Sequence, residues 1–231
     1  MLRKKYNKLL CLLITLIIVI IYPINALAQE DPPFELKSKS ALLMDYNTGT
    51  IIYEKNADEK LPIASITKVM TLILALEAID NGTLKLEDTL EVSEYASSMG
   101  GSTAFLSTGE VLPISTVFKC IIVASANDAS VALAEKLAGT TEIFVKNMNE
   151  KAKSLGMKNT HFVNCTGLPE DNHYSTARDV SIMSKELLKH PLFFKWSSIW
   201  LDELEHKNGE KTNLTNTNRL TRFYNGCDGV K

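Results

Sequence analysis

The chain has 231 residues, of which 45% are hydrophobic and 23% are charged. This balance is typical of one large or two small globular domains and excludes a disordered or fibrous protein. Residues 1–28 carry four of the 25 basic residues and none of the 27 acidic ones, so the remainder has six more acidic than basic side chains. Because no cluster of Lys and Arg remains to follow a phosphate backbone, we expect no nucleic-acid partner.

The first 28 residues are typical of a secretory signal peptide. Basic residues in 1–8 precede an apolar stretch over 9–21, and the small residues Ala26 and Ala28 suit cleavage before Gln29. The apolar run is short for a bilayer span, although an uncleaved anchor is the alternative interpretation. The pattern therefore predicts an exported, extracytoplasmic protein.

The next segments predict a linker, a hairpin and a central helix. Residues 29–37 form an extended linker, and the domain occupies 38–231. Short apolar runs at 41–44 and 51–53, joined by a loop containing glycine, predict a β-hairpin. From 65 to 80, apolar residues recur at helical spacings on nearly every face, which predicts a helix in the centre of the domain.

Beyond this helix the sequence predicts loops and short elements over residues 83–112, followed by further helices. Their expected bounds are Pro113 to Ala124 with Pro113 in the first turn, Asp128 to Gly139, a helix capped by Thr140 or Thr141 that ends at Gly156, and Thr176 to Leu188.

Three cysteines remain once residues 1–28 are removed. Their spacing matches neither a disulfide scaffold nor a zinc site. We interpret Cys120 as a buried helix residue, and a disulfide between Cys165 and Cys227 is left open.

Ser65 and Lys68 stand three residues apart at the head of the central helix. Residues i and i+3 share a helix face, so the amine of Lys68 can take the proton of the Ser65 hydroxyl and make it nucleophilic. Alone the pattern proves little, because a chain of this length contains on the order of one Ser-x-x-Lys by chance. A serine at a helix N-terminus can also offer its own backbone N–H to an oxyanion.

A second pair of polar residues, Ser125 and Asn127, lies between two predicted helices. A hydroxyl can relay a proton to a leaving amine, and a carboxamide can orient both a lysine and a substrate amide. The alternative is that these residues only cap the following helix, as Ser and Asn commonly do.

Taken together, three stretches and the last residue resemble the penicillin-binding serine D-alanyl-D-alanine carboxypeptidases of low molecular mass. That family carries Ser-x-x-Lys, Ser-x-Asn and Lys-Thr-Gly in this order. The resemblance implies an α+β fold of the β-lactamase/transpeptidase type, in which a mostly antiparallel sheet packs with a helical cluster and the active site lies between them. The matching residues are Pro62 to Thr71, Ser125 to Ala129, His173 to Asp179 and Lys231.

The resemblance also implies a role for each matching residue. Ser65 would attack the carbonyl of the penultimate D-alanine of a peptidoglycan stem, with Lys68 as its general base. Ser125 would pass the proton to the departing D-alanine, and Asn127 would orient Lys68 and the substrate. Lys231 would place positive charge near the substrate carboxylate, and β-lactam antibiotics would act as inhibitors.

Lys231 corresponds to the first residue of Lys-Thr-Gly and is also the last residue of the sequence. In the family the second oxyanion donor, the later sheet strands and a membrane-associating C-terminal segment lie beyond this motif. We therefore expect a domain that is incomplete at its C-terminus, membrane association through a segment absent here, and an activity that depends on the missing part.

Competing functions differ in their sequence requirements. A β-lactamase would need a water-activating base, and no convincing Glu-x-x-x-Asn stands where it would lie. An esterase, a non-catalytic peptidoglycan-binding relic and an inactive fragment stay open as alternatives. We expect no metal and no cofactor, because the histidines lack metal-ligand spacing, and we interpret His173 as structural or substrate-proximal.

Overall fold

A computed structural model describes residues 36–230 of the chain. The predicted signal peptide, most of the linker and Lys231 lie outside the described residues. From Lys39 onward the chain forms one compact unit.

The predicted hairpin opens this unit. Strand β1 (Ala41–Met44) pairs antiparallel with β2 (Ile51–Lys55), with Leu42 opposite Glu54. Asp45 shapes the connecting loop, because its carboxylate accepts hydrogen bonds from the backbone N–H and the hydroxyl of Thr48.

The predicted central helix is present, but its first turn is tighter than an α-helix. Residues Ala64–Thr67 form a 3-10 turn, and helix α1 (Lys68–Asp80) continues from it. Apolar residues cover nearly every face of α1, so the helix lies in the core, as predicted. Its buried residues are Lys68, Val69, Met70, Thr71, Leu72, Ile73, Ala75, Leu76 and Ala78.

The remaining elements are mostly helical. In chain order they are β3 (Thr89–Glu91), α2 (Glu94–Ser97), β4 (Val111–Pro113), α3 (Ile114–Ala124), α4 (Asn127–Ala138), α5 (Thr141–Ser154), α6 (Ala177–Leu187), a 3-10 turn (Pro191–Phe193), α7 (Phe194–Ser197), β5 (Leu201–Glu205), β6 (Lys211–Thr215) and α8 (Leu220–Phe223).

The fold is α+β, as the resemblance implied. Within residues 36–230 the strands form three separate two-stranded antiparallel sheets, β1 with β2, β3 with β4 and β5 with β6. Helix α1 contacts α4, α5 and α6, and α4 in turn contacts α3. This packing brings the junction of α3 and α4 into the same cluster as α1, which begins with Lys68.

Some local expectations are confirmed and others are wrong. Thr140 caps α5 through its side chain, as predicted, whereas Thr176, expected as the first residue of the next helix, is instead the N-cap of α6. Pro113 precedes α3 as its N-cap instead of starting its first turn, because its ψ of 146° is extended. Cys120 is buried as predicted, whereas Cys165 and Cys227 are both free thiols.

No helix among the described residues has the length and apolar character needed to cross a membrane.

Candidate active site

Lys68 is the centre of the site, and its whole side chain is buried. Its Nζ lies 3.3 Å from the Ser65 hydroxyl, 2.6 Å from Asn127 Oδ1 and 2.7 Å from the backbone oxygen of Thr166. The structure therefore brings together three of the predicted residues, Ser65, Lys68 and Asn127. The fourth group, a backbone carbonyl, has no counterpart in the sequence prediction.

The partners of Lys68 determine where its lone pair points. A neutral amine has two N–H groups and one lone pair, and the oxygens of Asn127 and Thr166 can only accept hydrogen bonds. When both N–H groups donate to these oxygens, the lone pair is left for the Ser65 hydroxyl. This geometry suits a base that removes the proton of Ser65.

Burial also favours the neutral form of the Lys68 amine. It lowers the pKa of Lys68 from its usual 10.5 to about 8, and Cys165 and Asp128 act in the opposite direction. Burial raises the pKa of Cys165 to about 12, so this residue is a neutral thiol at pH 7. With a pKa of about 8, about one molecule in ten has a neutral Lys68 at pH 7.

Ser125 occupies an unusual position at the end of α3. It adopts the left-handed region with φ 59°, where a side chain other than glycine costs about 1 kcal/mol. Its hydroxyl is buried without a hydrogen-bond partner among the described residues. The N-cap of α4 is Ala126, and no side chain caps that helix, so the capping alternative for Ser125 and Asn127 is wrong. Strain and an unpaired buried hydroxyl are features found at functional sites.

Asn127 is held on both its side chain and its backbone. Its Nδ2 donates to the Gly100 carbonyl at 2.7 Å, and its backbone N–H donates to the Ser102 carbonyl at 2.7 Å. Since Nδ2 is used by Gly100, Oδ1 is the atom that faces Lys68.

A turn over residues 164–168 supplies the third partner of Lys68. Asn164 Oδ1 accepts hydrogen bonds from the N–H groups of Thr166 and Gly167, and its Nδ2 donates to the Leu168 carbonyl. The Asn and Gly in this stretch indicate a turn in the sequence. They do not indicate that a main-chain carbonyl reaches Lys68, and this part of the site was not predicted.

Gly167 brings this turn against the backbone next to Ser65. Its φ is +84°, and a Cβ added there would lie 1.8 Å from the Ala64 carbonyl oxygen and 2.9 Å from Thr67 Oγ1. Ala64 itself has φ 45°, in the left-handed region. Only glycine allows the two segments to approach this closely.

One known protein family matches most of the chain. The model of the D-alanyl-D-alanine carboxypeptidase family, Peptidase_S11, matches residues 25–231. The chain belongs to this family. Its sequence is 46% identical over 229 residues to the D-alanyl-D-alanine carboxypeptidase DacF of Bacillus subtilis, covering 97% of this chain and 59% of DacF.

Solved structures of carboxypeptidases and penicillin-binding proteins share the fold. The D-alanyl-D-alanine carboxypeptidase DacD of Francisella tularensis matches with a TM-score of 0.83 and 29% identity, over 90% of this chain and 63% of DacD. Penicillin binding protein 5 of Haemophilus influenzae matches with a TM-score of 0.80 and 32% identity, over 87% of this chain and 58% of that protein. The chain thus spans less than two thirds of the length of each of these relatives.

In this carboxypeptidase family member, an open cleft lies beside the backbone that precedes Ser65. Its volume is about 430 Å³, and its walls are residues 62–64 and the segment from Gly167 to Asp171, together with His173. A cleft of this size has room for a short peptide. No group of three or more His, Cys, Asp or Glu side chains among the described residues is arranged to hold a metal ion.

His173 is a neutral side chain that hydrogen-bonds to Thr67, next to Lys68. Its Nδ1 accepts the Val163 N–H at 3.1 Å, so the proton lies on Nε2, which donates to Thr67 Oγ1 at 2.7 Å. Thr67 stands between Ser65 and Lys68. Burial and, to a lesser extent, the charge of His161 lower the pKa of His173. These hydrogen bonds fit a structural role for His173, and its position in the wall of the cleft fits a substrate-proximal one.

We expect His173 to make folding sensitive to mild acid. The unfolded chain binds its proton with a pKa near 6.5, above the folded value, so the stabilisation is complete above about pH 6.5 and is lost as the pH falls towards the folded pKa. Urea unfolding at pH 7.5 and 5.0 should show a smaller pH-dependent loss of stability in His173→Gln than in the unsubstituted chain. Equal losses in both would contradict the prediction. The other histidines contribute to both proteins alike, so their effect on the pH dependence cancels in the comparison.

Proposed function

We propose that this protein is a serine-type D-Ala-D-Ala carboxypeptidase that removes the terminal D-alanine from peptidoglycan pentapeptide stems through an acyl-enzyme. Penicillins and other β-lactams would acylate the same serine. The observation that carries the proposal is the buried Lys68, whose two acceptor partners leave its lone pair for the hydroxyl of Ser65.

The proposed first half of the reaction transfers an acyl group to Ser65. Lys68 takes the hydroxyl proton while Ser65 Oγ bonds to the carbonyl carbon of the penultimate D-alanine, forming a tetrahedral intermediate. When the C–N bond breaks, the amine of the leaving D-alanine receives a proton, which Ser125 would relay from Lys68. Asn127 would hold Lys68 and hydrogen-bond the substrate backbone.

The second half restores the enzyme. Water attacks the ester carbonyl, Lys68 accepts a proton from that water, and Ser65 Oγ leaves with a proton returned to it. Slow attack by water would leave the serine acylated by penicillin for longer than by substrate. A β-lactamase would instead release the hydrolysed drug rapidly.

Two further parts of the proposal concern recognition and location. Lys231 would place its positive charge near the terminal carboxylate of the stem, although this residue lies outside the described residues. We propose that residues 1–28 direct export of the protein, that the protein acts at the cell wall, and that a C-terminal segment associates with the membrane. The family of penicillin-binding carboxypeptidases acts on the wall outside the cytoplasm, which supports this location.

The test is covalent labelling of Ser65. We expect penicillin to add its mass to the purified chain, the modified peptide to contain Ser65, and Ser65→Ala to stay unlabelled. Because the chain spans 59% of DacF, a chimera completed with the remaining sequence of DacF should be labelled in parallel. An adduct on Ser65 in either form, persisting long enough to be isolated, would support the proposal. Absence from both, or an adduct on another residue, would refute it.

A further inference from the structure

Asp128, the residue after Asn127, binds the backbone of another segment. Asp128 is 1% exposed, and within residues 36–230 its carboxylate accepts hydrogen bonds only from backbone N–H groups. The N–H of Ala104 lies 3.0 Å from both oxygens, that of Leu106 lies 3.0 Å from one of them, and that of Ala129 lies 2.8 Å from the other. A buried carboxylate with several backbone donors fixes the conformation of the segment that supplies them.

The segment held by Asp128 is the same one that orients Asn127. Residues 100–106 present the Gly100 carbonyl to Asn127 Nδ2 and the Ser102 carbonyl to the Asn127 N–H. Ser102 Oγ also donates to the Ala124 carbonyl at 2.7 Å, which ties the segment to the end of α3. Asp128 and Asn127 thus hydrogen-bond to different parts of the same segment, residues 100–106.

We propose that Asp128 is a positioning residue, which folds residues 100–106 around its carboxylate and so fixes the amide of Asn127 with Oδ1 towards Lys68. A carboxamide has an accepting side and a donating side of nearly the same shape. If the Gly100 carbonyl moves away, the amide of Asn127 is free to turn its NH₂ towards Lys68. The lysine would then face a donor, and the lone-pair arrangement at Ser65 would be lost.

The charge of Asp128 and the orientation of the Asn127 amide affect the pKa of Lys68 in the same direction. The charge of Asp128 favours the ammonium form of Lys68, and so does acceptance of a hydrogen bond by Asn127 Oδ1. Removing the charge and releasing the amide should therefore both lower the pKa of Lys68. The consequence for catalysis rests on the proposed function, whereas the effect on Lys68 can be measured without any substrate.

The main test is Asp128→Asn in the full chain, with lysine labelled at ¹³Cε and its titration followed by NMR. We expect the midpoint of Lys68, assigned with Lys68→Met, to fall by about one pH unit. The N–H groups of Ala104, Leu106 and Asn127 should exchange with deuterium about tenfold faster. Acylation of Ser65 by penicillin should slow by about tenfold to a hundredfold, with its pH profile displaced to lower pH.

Glu110→Gln is the matched control. Glu110 is also a buried carboxylate, 5% exposed, and the hydrogen bonds of that carboxylate are to the N–H of Ser107 in the adjoining turn and to His206 Nδ1, away from the site. We expect its replacement to leave the Lys68 midpoint unchanged. A folded Asp128→Asn with an unchanged midpoint, or an equal shift in Glu110→Gln, would overturn the proposal.

A second variant decides the question if Asp128→Asn does not fold. In Gly101→Ala the added Cβ would lie 3.0 Å from Asn127 Nδ2, which disturbs the amide without touching Asp128. We expect a lower Lys68 midpoint here too, and an unchanged midpoint would count against the proposal. If neither the unsubstituted chain nor the chimera completed with DacF sequence gives an adduct on Ser65, the proposed function fails, but the NMR titration and deuterium exchange still test the role of Asp128.

Discussion

Replacing Lys68 with methionine is expected to slow the acylation of Ser65 by penicillin about 10³-fold, within the range that a general base contributes. Methionine keeps most of the volume of this fully buried side chain but has no nitrogen to accept the hydroxyl proton. The second-order rate constant for acylation, measured by stopped-flow or quenched mass spectrometry, checks the expectation.

Lys151→Met is the control for removing a lysine. Lys151 is partly buried, bridges Glu77 and Glu186 between three helices, and lies outside the proposed machinery. Its replacement should leave acylation within about twofold while the free energy of unfolding falls by up to about 1 kcal/mol. Comparable slowing in both variants would show that Lys68 acts through folding and not as the base.

The pH profile of the unsubstituted chain tests the same role without a substitution. Burial lowers the pKa of Lys68 to about 8, so the neutral amine is scarce below that pH. Acylation should accelerate about tenfold per pH unit up to pH 8 and then level off. A rate that does not change between pH 6 and 9 would contradict Lys68 as the proton acceptor, whereas a rate that rises only near pH 10.5 would show that burial does not lower the pKa of Lys68.

The sequence predicted the side chains of the site better than its backbone. The spacing of Ser65 and Lys68 is a local property of one turn, because residues i and i+3 meet on a helix face. Ser125 and Asn127 were recognisable because their hydroxyl and carboxamide interrupt an apolar pattern. The Thr166 carbonyl was not, since every residue has one and only the folded turn aims it at Lys68.

In the fold, too, the sequence predicts local features better than contacts between distant segments. The hairpin and the central position of α1 follow from apolar spacing, which depends on few residues at a time. The roles of Asp128 and Gly167 depend on segments that are 22 to 24 residues away for Asp128 and about a hundred residues away for Gly167. Such contacts leave no periodic signal, and aspartate and glycine are common in ordinary turns and helix ends that have no part in a site.

Gly167→Ala is the second substitution for which we expect a large effect. The methyl group would overlap the Ala64 carbonyl oxygen at 1.8 Å, and φ +84° is itself unfavourable for alanine. Because Ala64 precedes Ser65 and Thr166 precedes Gly167, separating the two segments moves both the nucleophile and the carbonyl that binds Lys68. We expect a loss of about 3 kcal/mol in the free energy of unfolding and acylation at least about a hundredfold slower.

Gly156→Ala is the control that distinguishes the effect of the steric clash from the effect of the backbone strain. Gly156 has φ +79°, nearly the same as Gly167, but a Cβ there would meet no atom within 4 Å. Strain alone should cost this variant about 1 kcal/mol in denaturant unfolding and leave the acylation rate constant unchanged. If Gly167→Ala is no more destabilising than Gly156→Ala and still acylates at the normal rate, the two segments do not need their close contact. If it retains stability but loses acylation, the contact serves the geometry of Ser65 and Lys68 more than the fold.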